Sequence, residues 1–320
     1  MKQFKRILVG VDLSWGDRFV TDKLTPPNEE AVRQALWLAK HNSATVYFLA
    51  SLELSAKAQH LIAASDTNKS TLLDEAQAQL DHCVDQARKI GVAAESKVIV
   101  GRSWLELIHQ VIRGQQDLVV IGTRHLGAVE GALLGSTGMR LLRKCPCPVW
   151  VTQPLTDGAF DSILVADDLR PVGDLARELG TAMAQLYNAQ LHIVHAADPR
   201  ELGHVLFANS YTDNSEEYRR NAENRIRASL AGVELALPPQ VHVVTERPDL
   251  AILNCIAKNN IDLVVMGMIG RTGIPGFLIG NTAERLLPKI PCSLLAVKPA
   301  DFKSPVVLPS DRSEDELAST

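Results

Sequence analysis

The sequence predicts an α/β protein of two tandem doubly wound units, each with a mainly parallel five-stranded sheet. Three observations carry this prediction. Segments recur along the chain: KRILVGVD (5–12) returns as DSILVADD (161–168), and DLVVIG (117–122) as DLVVMG (262–267). The runs ILVG, LVVIG, ILVA and DLVVM are continuous rather than alternating, as in parallel strands buried on both faces. A chain of 320 residues, 46% hydrophobic and 22% charged, suits two soluble domains, each long enough to bury its own core.

The repeat has a measurable register. Ile7 aligns with Ile163 and Asp12 with Asp168 at an offset of 156. An offset of 145 aligns Arg102 with Arg247, Leu105 with Leu250, Gly135 with Gly280, Pro146 with Pro291 and Cys147 with Cys292. The fall from 156 to 145 places eleven extra residues in the first copy, between its first and fourth strands.

In the first copy, strands are expected at 6–12, 45–52, 95–100, 117–122 and 147–152, with helices at 29–41, 71–90, 103–114 and 136–144. In the second, strands fall at 161–167, 189–196, 240–245, 261–267 and 292–297, with helices at 173–187, 213–231, 248–259 and 281–288. Alternation of this kind gives right-handed βαβ crossovers. Gln153, Pro154 and Asp157-Gly158 read as a short linker. The domains are therefore expected at 1–154 and 159–300, followed by an acidic, disordered tail at 301–320.

The formal charge of −4 argues against direct nucleic-acid binding, which needs a basic footprint. No apolar stretch approaches the roughly 18 residues of a transmembrane helix. The start, MKQFKRILVGVDLS, reaches Asp12 too early for a secretory signal. Five cysteines at irregular spacing do not make a disulfide framework, and a reducing cytoplasm is the expected location.

The segment most informative about chemistry is GMIGRTGIPGFLIGNTAERLL, from Gly267. Gly267 closes a buried strand, Gly270 follows, and Gly280 precedes a helix opened by Asn281 and Thr282. Glycines let a backbone approach a ligand without a Cβ in the way. Free amides at a helix start favour an anion such as phosphate. Arg271 adds positive charge, and Asn281 or Thr282 adds a side-chain donor. The same residues also fit a loop that merely turns, with Asn281 capping the helix. Neither a Walker A loop nor a G-x-G-x-x-G after the first strand is present. In a doubly wound sheet the carboxyl ends of the strands line the ligand crevice. Asp168, ending the first strand of its unit, would face that crevice and accept a hydrogen bond from an amino group or sugar hydroxyl. Its alternative role is to cap the following loop.

ILVADD with Asp168, DLVVMGMIGRTG and the G-x2-G-x9-G-N-T spacing resemble the universal stress protein family, over nearly the whole chain and in the tandem form of its E subgroup. The resemblance implies a sheet of order 3-2-1-4-5 in each unit. It also implies binding of ATP or another adenine nucleotide, with or without Mg2+, as found in some family members. Asp168 then matches the residue beside adenine and ribose, and Ala196 lies near the adenine-facing position. Gly267, Met268, Gly270 and Arg271 match the first part of the phosphate loop, and Gly280, Asn281 and Thr282 the second.

The first unit departs from the pattern. Gly122, Gly135, Ser136 and Thr137 match, but His125 stands at the second glycine position, where its side chain would crowd a phosphate. The nucleotide is therefore expected in the second unit, and the first is expected to serve packing or a different ligand. An apolar or lipid-like molecule held by the 53–73 segment, with a comparable stretch at 201–214 in the second unit, is one alternative function. A ligand-free scaffold that docks partners is another.

Catalysis is not expected. No G-x-S-x-G elbow, H-E-x-x-H or zinc-like spacing is present, and Cys145-Pro146-Cys147 is not a C-x-x-C pair. Cys147 is expected to begin the last strand as a small hydrophobe. His192 and His195, three apart on a strand, point to opposite faces and do not share a metal. They and His242 are read as structural or solvent-facing. Fusion makes the pairing of two units internal, and a homodimer of the tandem chain remains a further expectation.

Overall fold

A computed structural model describes residues 4–14, 20–21, 23–53, 68–123, 134–155, 158–197, 211–268 and 280–309. Two compact units divide the chain near residue 155. In the first unit the strands are β1 (Arg6–Val11), β2 (Thr45–Leu52), β3 (Ala94–Val100), β4 (Leu118–Gly122) and β5 (Val149–Thr152). Its helices are α1 (Pro26–Asn42), α2 (Asn68–Lys89), α3 (Ser103–Gly114) and α4 (Ser136–Lys144). The second unit has β6 (Ser162–Ala166), β7 (Gln190–Ala196), β8 (Gln240–Val244), β9 (Leu263–Gly267) and β10 (Ser293–Val297). Its helices are α5 (Pro171–Tyr187), α6 (Tyr211–Ser229), α7 (Pro248–Asn259) and α8 (Asn281–Leu286).

The strand order is β3-β2-β1-β4-β5 in the first unit and β8-β7-β6-β9-β10 in the second, the 3-2-1-4-5 arrangement in both. All the pairings within each unit are parallel. The central strands are apolar because both faces are covered: β4 and β9 are buried at every position but the last. β3 has only half-buried and exposed positions, as an edge strand does. Among the described residues no helix is long and apolar enough to cross a membrane.

The recurring DLVV motif now has a physical reason. The Asp117 carboxylate accepts the Lys5 and Arg6 amides at 2.7 and 3.0 Å. Asp262 accepts those of Asp161 and Ser162 at 2.9 and 3.0 Å. Each aspartate thus satisfies the amides at the start of the central strand beside it. Helix ends repeat as well. Ser43 and Asn188 close α1 and α5, and Gln115 and Asn260 close α3 and α7, all with φ between 47° and 54°. Left-handed caps without glycine at four equivalent places mark two copies of one backbone.

α1 and α5 both have 17 residues and stand 145 apart, as do their caps. The eleven-residue excess therefore lies wholly between the aligned Asp12 and Asp168 and the helices that follow, at positions 13–25 against 169–170. Several boundaries differ from expectation by one to three residues; α1 and α2, for example, begin at Pro26 and Asn68 rather than at 29 and 71. β5 begins at Val149, not Cys147, because Pro146 and Pro148 have no N–H for the ladder. Cys147 is buried ahead of the strand, with its Sγ 3.6 Å from that of Cys145. Of the tail expected to be disordered at 301–320, residues 301–309 are within the described residues and alternate exposed with half-buried positions; 310–320 lie outside them.

Candidate functional site

In the second unit, β6 delivers two adjacent aspartates to the carboxyl edge of the sheet. Asp167 is buried and Asp168 exposed. The Asp167 carboxylate pairs closely with the Arg177 guanidinium, which also holds Asp174 at 2.6 Å. Burial alone would lower the Arg177 pKa, but the two carboxylates more than offset this and raise it. Asp167 Oδ1 also accepts the Leu169 amide at 2.8 Å, and Leu169 adopts φ 57°. This left-handed turn sends the chain into α5. Asp168 Oδ1 accepts only the Arg170 amide among the described residues, at 3.1 Å. A Cβ on Gly173 would meet Asp168 Oδ1 at 2.5 Å and Asp167 Oδ1 at 2.6 Å, so this glycine makes room for both carboxylates.

β7 ends beside β6, with Ala166 opposite Val194 and Ala196 opposite Val244 of β8. His195 donates from Nδ1 to the Asp167 carbonyl at 2.8 Å, since a carbonyl only accepts. Its Nε2 meets the Tyr218 hydroxyl of α6, also at 2.8 Å. His192, on the opposite face, meets His242 instead. Asp167, Arg177 and Tyr218 were not singled out from the sequence. An acid and a base ten positions apart on different elements carry no spacing signal.

Of the residues expected to bind, Asp168, Ala196 and Gly267 lie at the ends of three neighbouring strands. Gly267 also has a packing role that needs no ligand: a Cβ there would meet Val172 Cγ1 of α5 at 2.5 Å. Met268 is 1% exposed, so its side chain belongs to the core. Its amide donates to Val297, and its carbonyl accepts the Gly280 amide at 3.4 Å. Gly280 precedes α8 with φ −58°, a conformation open to any residue. Asn281 is exposed and Thr282 half-buried on the first turn, and no side chain caps the helix. Gly270 and Arg271 lie outside the described residues, as do His125, most of 53–73 and most of 201–214.

In the first unit the equivalent residues line one cavity of about 510 Å³. Asp12, Gly122, Gly135, Ser136 and Thr137 surround it, together with Glu53. Asp12 Oδ1 is occupied by Ser14, whose amide and hydroxyl donate at 2.9 and 2.6 Å. Glu53 accepts the Ser103 amide at 2.7 Å. Among the described lining residues the charged ones, Asp12 and Glu53, are both acidic. Gly122 repeats the packing role of Gly267, but against backbone rather than a side chain: a Cβ would meet the Pro27 carbonyl oxygen at 2.5 Å.

Comparison with known proteins agrees with this architecture. The Universal stress protein family model matches residues 3–153 and again 159–298. Universal stress protein E of Photorhabdus laumondii is 23% identical over 320 residues, 96% of this chain and 98% of the relative. Universal stress protein E of Escherichia coli K12 is 31% identical over 248 residues, 71% of this chain and 74% of the relative. Among solved structures, a putative universal stress protein from Pseudomonas aeruginosa superposes with TM-score 0.67 at 20% identity, over 93% of this chain and 95% of that one. One from Archaeoglobus fulgidus also gives 0.67, at 19% identity over 93% and 99%. These structures share the fold. With two family matches in tandem covering nearly its whole length, the chain belongs to the Universal stress protein family.

Proposed function

We propose that this protein binds ATP or a related adenine nucleotide in its second unit, as a sensing or regulatory event in the cytoplasm. Members of the family are in general not catalysts. The observation that carries the reading is the exposed Asp168 at the carboxyl edge. Asp167, Arg177 and the Leu169 turn hold it there, with one carboxylate oxygen free among the described residues. That oxygen suits a ribose hydroxyl or an adenine amino group. The first turn of α8, which follows Gly280, supplies amides for phosphate on the same edge, and Gly270 and Arg271 would complete that part. Ala196, small and half-buried, leaves space for a base.

The test is calorimetry of the full chain with ATP, ADP and AMP. The expected result is one site per chain, with affinity depending on the phosphates. Two equivalent sites, or none, would overturn the assignment.

The cavity in the first unit favours a second reading alongside the first. Its volume, about 510 Å³, is that of a small-molecule site. Its described charged groups are acidic, which disfavours a polyphosphate and suits a neutral molecule. Native mass spectrometry of the gently purified chain would detect such a passenger.

A further inference from the structure

On the face of the second sheet that meets α7, three side chains from three elements converge. His192 of β7 and His242 of β8 stand with rings 5° from parallel and 5.4 Å between centroids. His192 Nδ1 and His242 Nε2 are 3.1 Å apart. Cys255 of α7 closes the third side, and the two nitrogens and its sulfur all lie within 4.8 Å of one another. We propose that His192, His242 and Cys255 form a site for a borderline-soft divalent metal ion, zinc above all, independent of the nucleotide site.

The donor set is that of zinc: two imidazoles and one thiol, with no hard oxygen ligand among them. Around a tetrahedral ion with Zn–N near 2.0–2.1 Å, two nitrogens stand about 3.3 Å apart. The observed 3.1 Å is close to that edge. The thiol needs to draw in by on the order of 1 Å to reach a Zn–S distance near 2.3 Å. A hydrogen bond between the imidazoles explains the ring pair, but not a thiol facing the same point.

The electrostatics agree. Burial, and then the neighbouring His242, pushes the His192 pKa down to about 4. Burial, and then Lys258, lowers that of His242. Both rings are therefore neutral near pH 7, with lone pairs to give. Burial pushes the Cys255 thiol up, against the Asn259 hydrogen bond and the Lys258 charge. Metal binding would therefore release the thiol proton. Lys258 repels a dication but steadies the thiolate, and it is exposed, where water screens it. His192 and Cys255 are 3% and 6% exposed. His242 is half-buried, which gives the ion a way in. Three protein ligands leave a fourth position for water or an external donor.

The test uses the full chain, reduced and stripped of metal, titrated with Zn2+ against a chromophoric chelator and with Co2+ followed by absorption. One equivalent of Zn2+ should bind, and Co2+ should show a thiolate-to-metal charge-transfer band. Cys255→Ser should abolish that band. Loss of an orienting partner alone costs 10–100-fold in metal affinity. Cys255→Ser and His242→Gln should therefore each weaken Zn2+ binding by about a hundredfold or more. Circular dichroism controls for folding, and the wild-type band stands without any variant. No binding, a Co2+ spectrum lacking the thiolate band, or Zn2+ affinity unchanged in folded variants would each overturn the proposal.

Discussion

Asp167 and Arg177 form a buried ion pair that fastens the end of β6 to the second turn of α5: the carboxylate is fully enclosed and the guanidinium only 10% exposed. Removing one partner of such a pair leaves an uncompensated buried charge, at a cost of about 3–5 kcal/mol. Arg177→Leu is therefore expected to lower the stability of the second unit by that amount, measured by urea denaturation. Asp174→Ala, at the exposed end of the network, should cost less than about 1 kcal/mol. Equal effects of the two would show that Asp167 is not the anchor.

The glycines that end β4 and β9 give a ranked prediction. Gly122→Ala drives a Cβ against the Pro27 backbone, whereas Gly267→Ala meets a Val172 methyl group. A side chain yields more easily than a backbone carbonyl. Overpacking of this kind costs about 1–3 kcal/mol, and Gly122→Ala should be the more destabilising in thermal unfolding. The reverse order would contradict the packing described.

The nucleotide reading is tested by paired aspartates. A hydrogen bond to a carboxylate contributes about 1.5–3 kcal/mol, or roughly 10–150-fold in Kd. Asp168→Ala should weaken ATP binding by that factor, and Asp12→Ala should leave it unchanged. If Asp12→Ala alone weakens binding, the nucleotide sits in the first unit.

Acid sensitivity follows from His192. Its folded pKa, about 4, lies below the ordinary 6.5. The unfolded chain then binds the extra proton first, so the contribution to stability is full above pH 6.5 and is lost as pH falls through 4. The loss amounts to up to about 3 kcal/mol, shared with His242 because the pair titrates together. His192→Gln should flatten the stability profile between pH 6.5 and 4 in chemical denaturation; an unchanged slope would assign the acid response to other groups.

Much of the architecture was legible because the two copies vouch for each other. DLVV recurs, and the structure shows its aspartate fastening the neighbouring strand. Continuous apolar runs marked the central strands because both their faces are covered. The division of labour between Asp167 and Asp168 was not legible. Adjacent acids look alike in sequence, and the Leu169 turn with Arg177 decides which one faces inward. Nor did strand reasoning join His192 to Cys255. It sorted His192 from His195 correctly by face, but a partner arriving from a helix more than sixty residues later leaves no trace in local spacing.

The unequal lengths at positions 13–25 and 169–170 are the one place where the spacing of elements in the two copies parts company. From α1 onward, subtracting 145 converts any residue of the second copy into its counterpart, so chimeras exchanging only that segment keep every strand partner. The duplication has thus left a portable part, by which each copy's approach to its own crevice can be retuned without rebuilding the scaffold beneath.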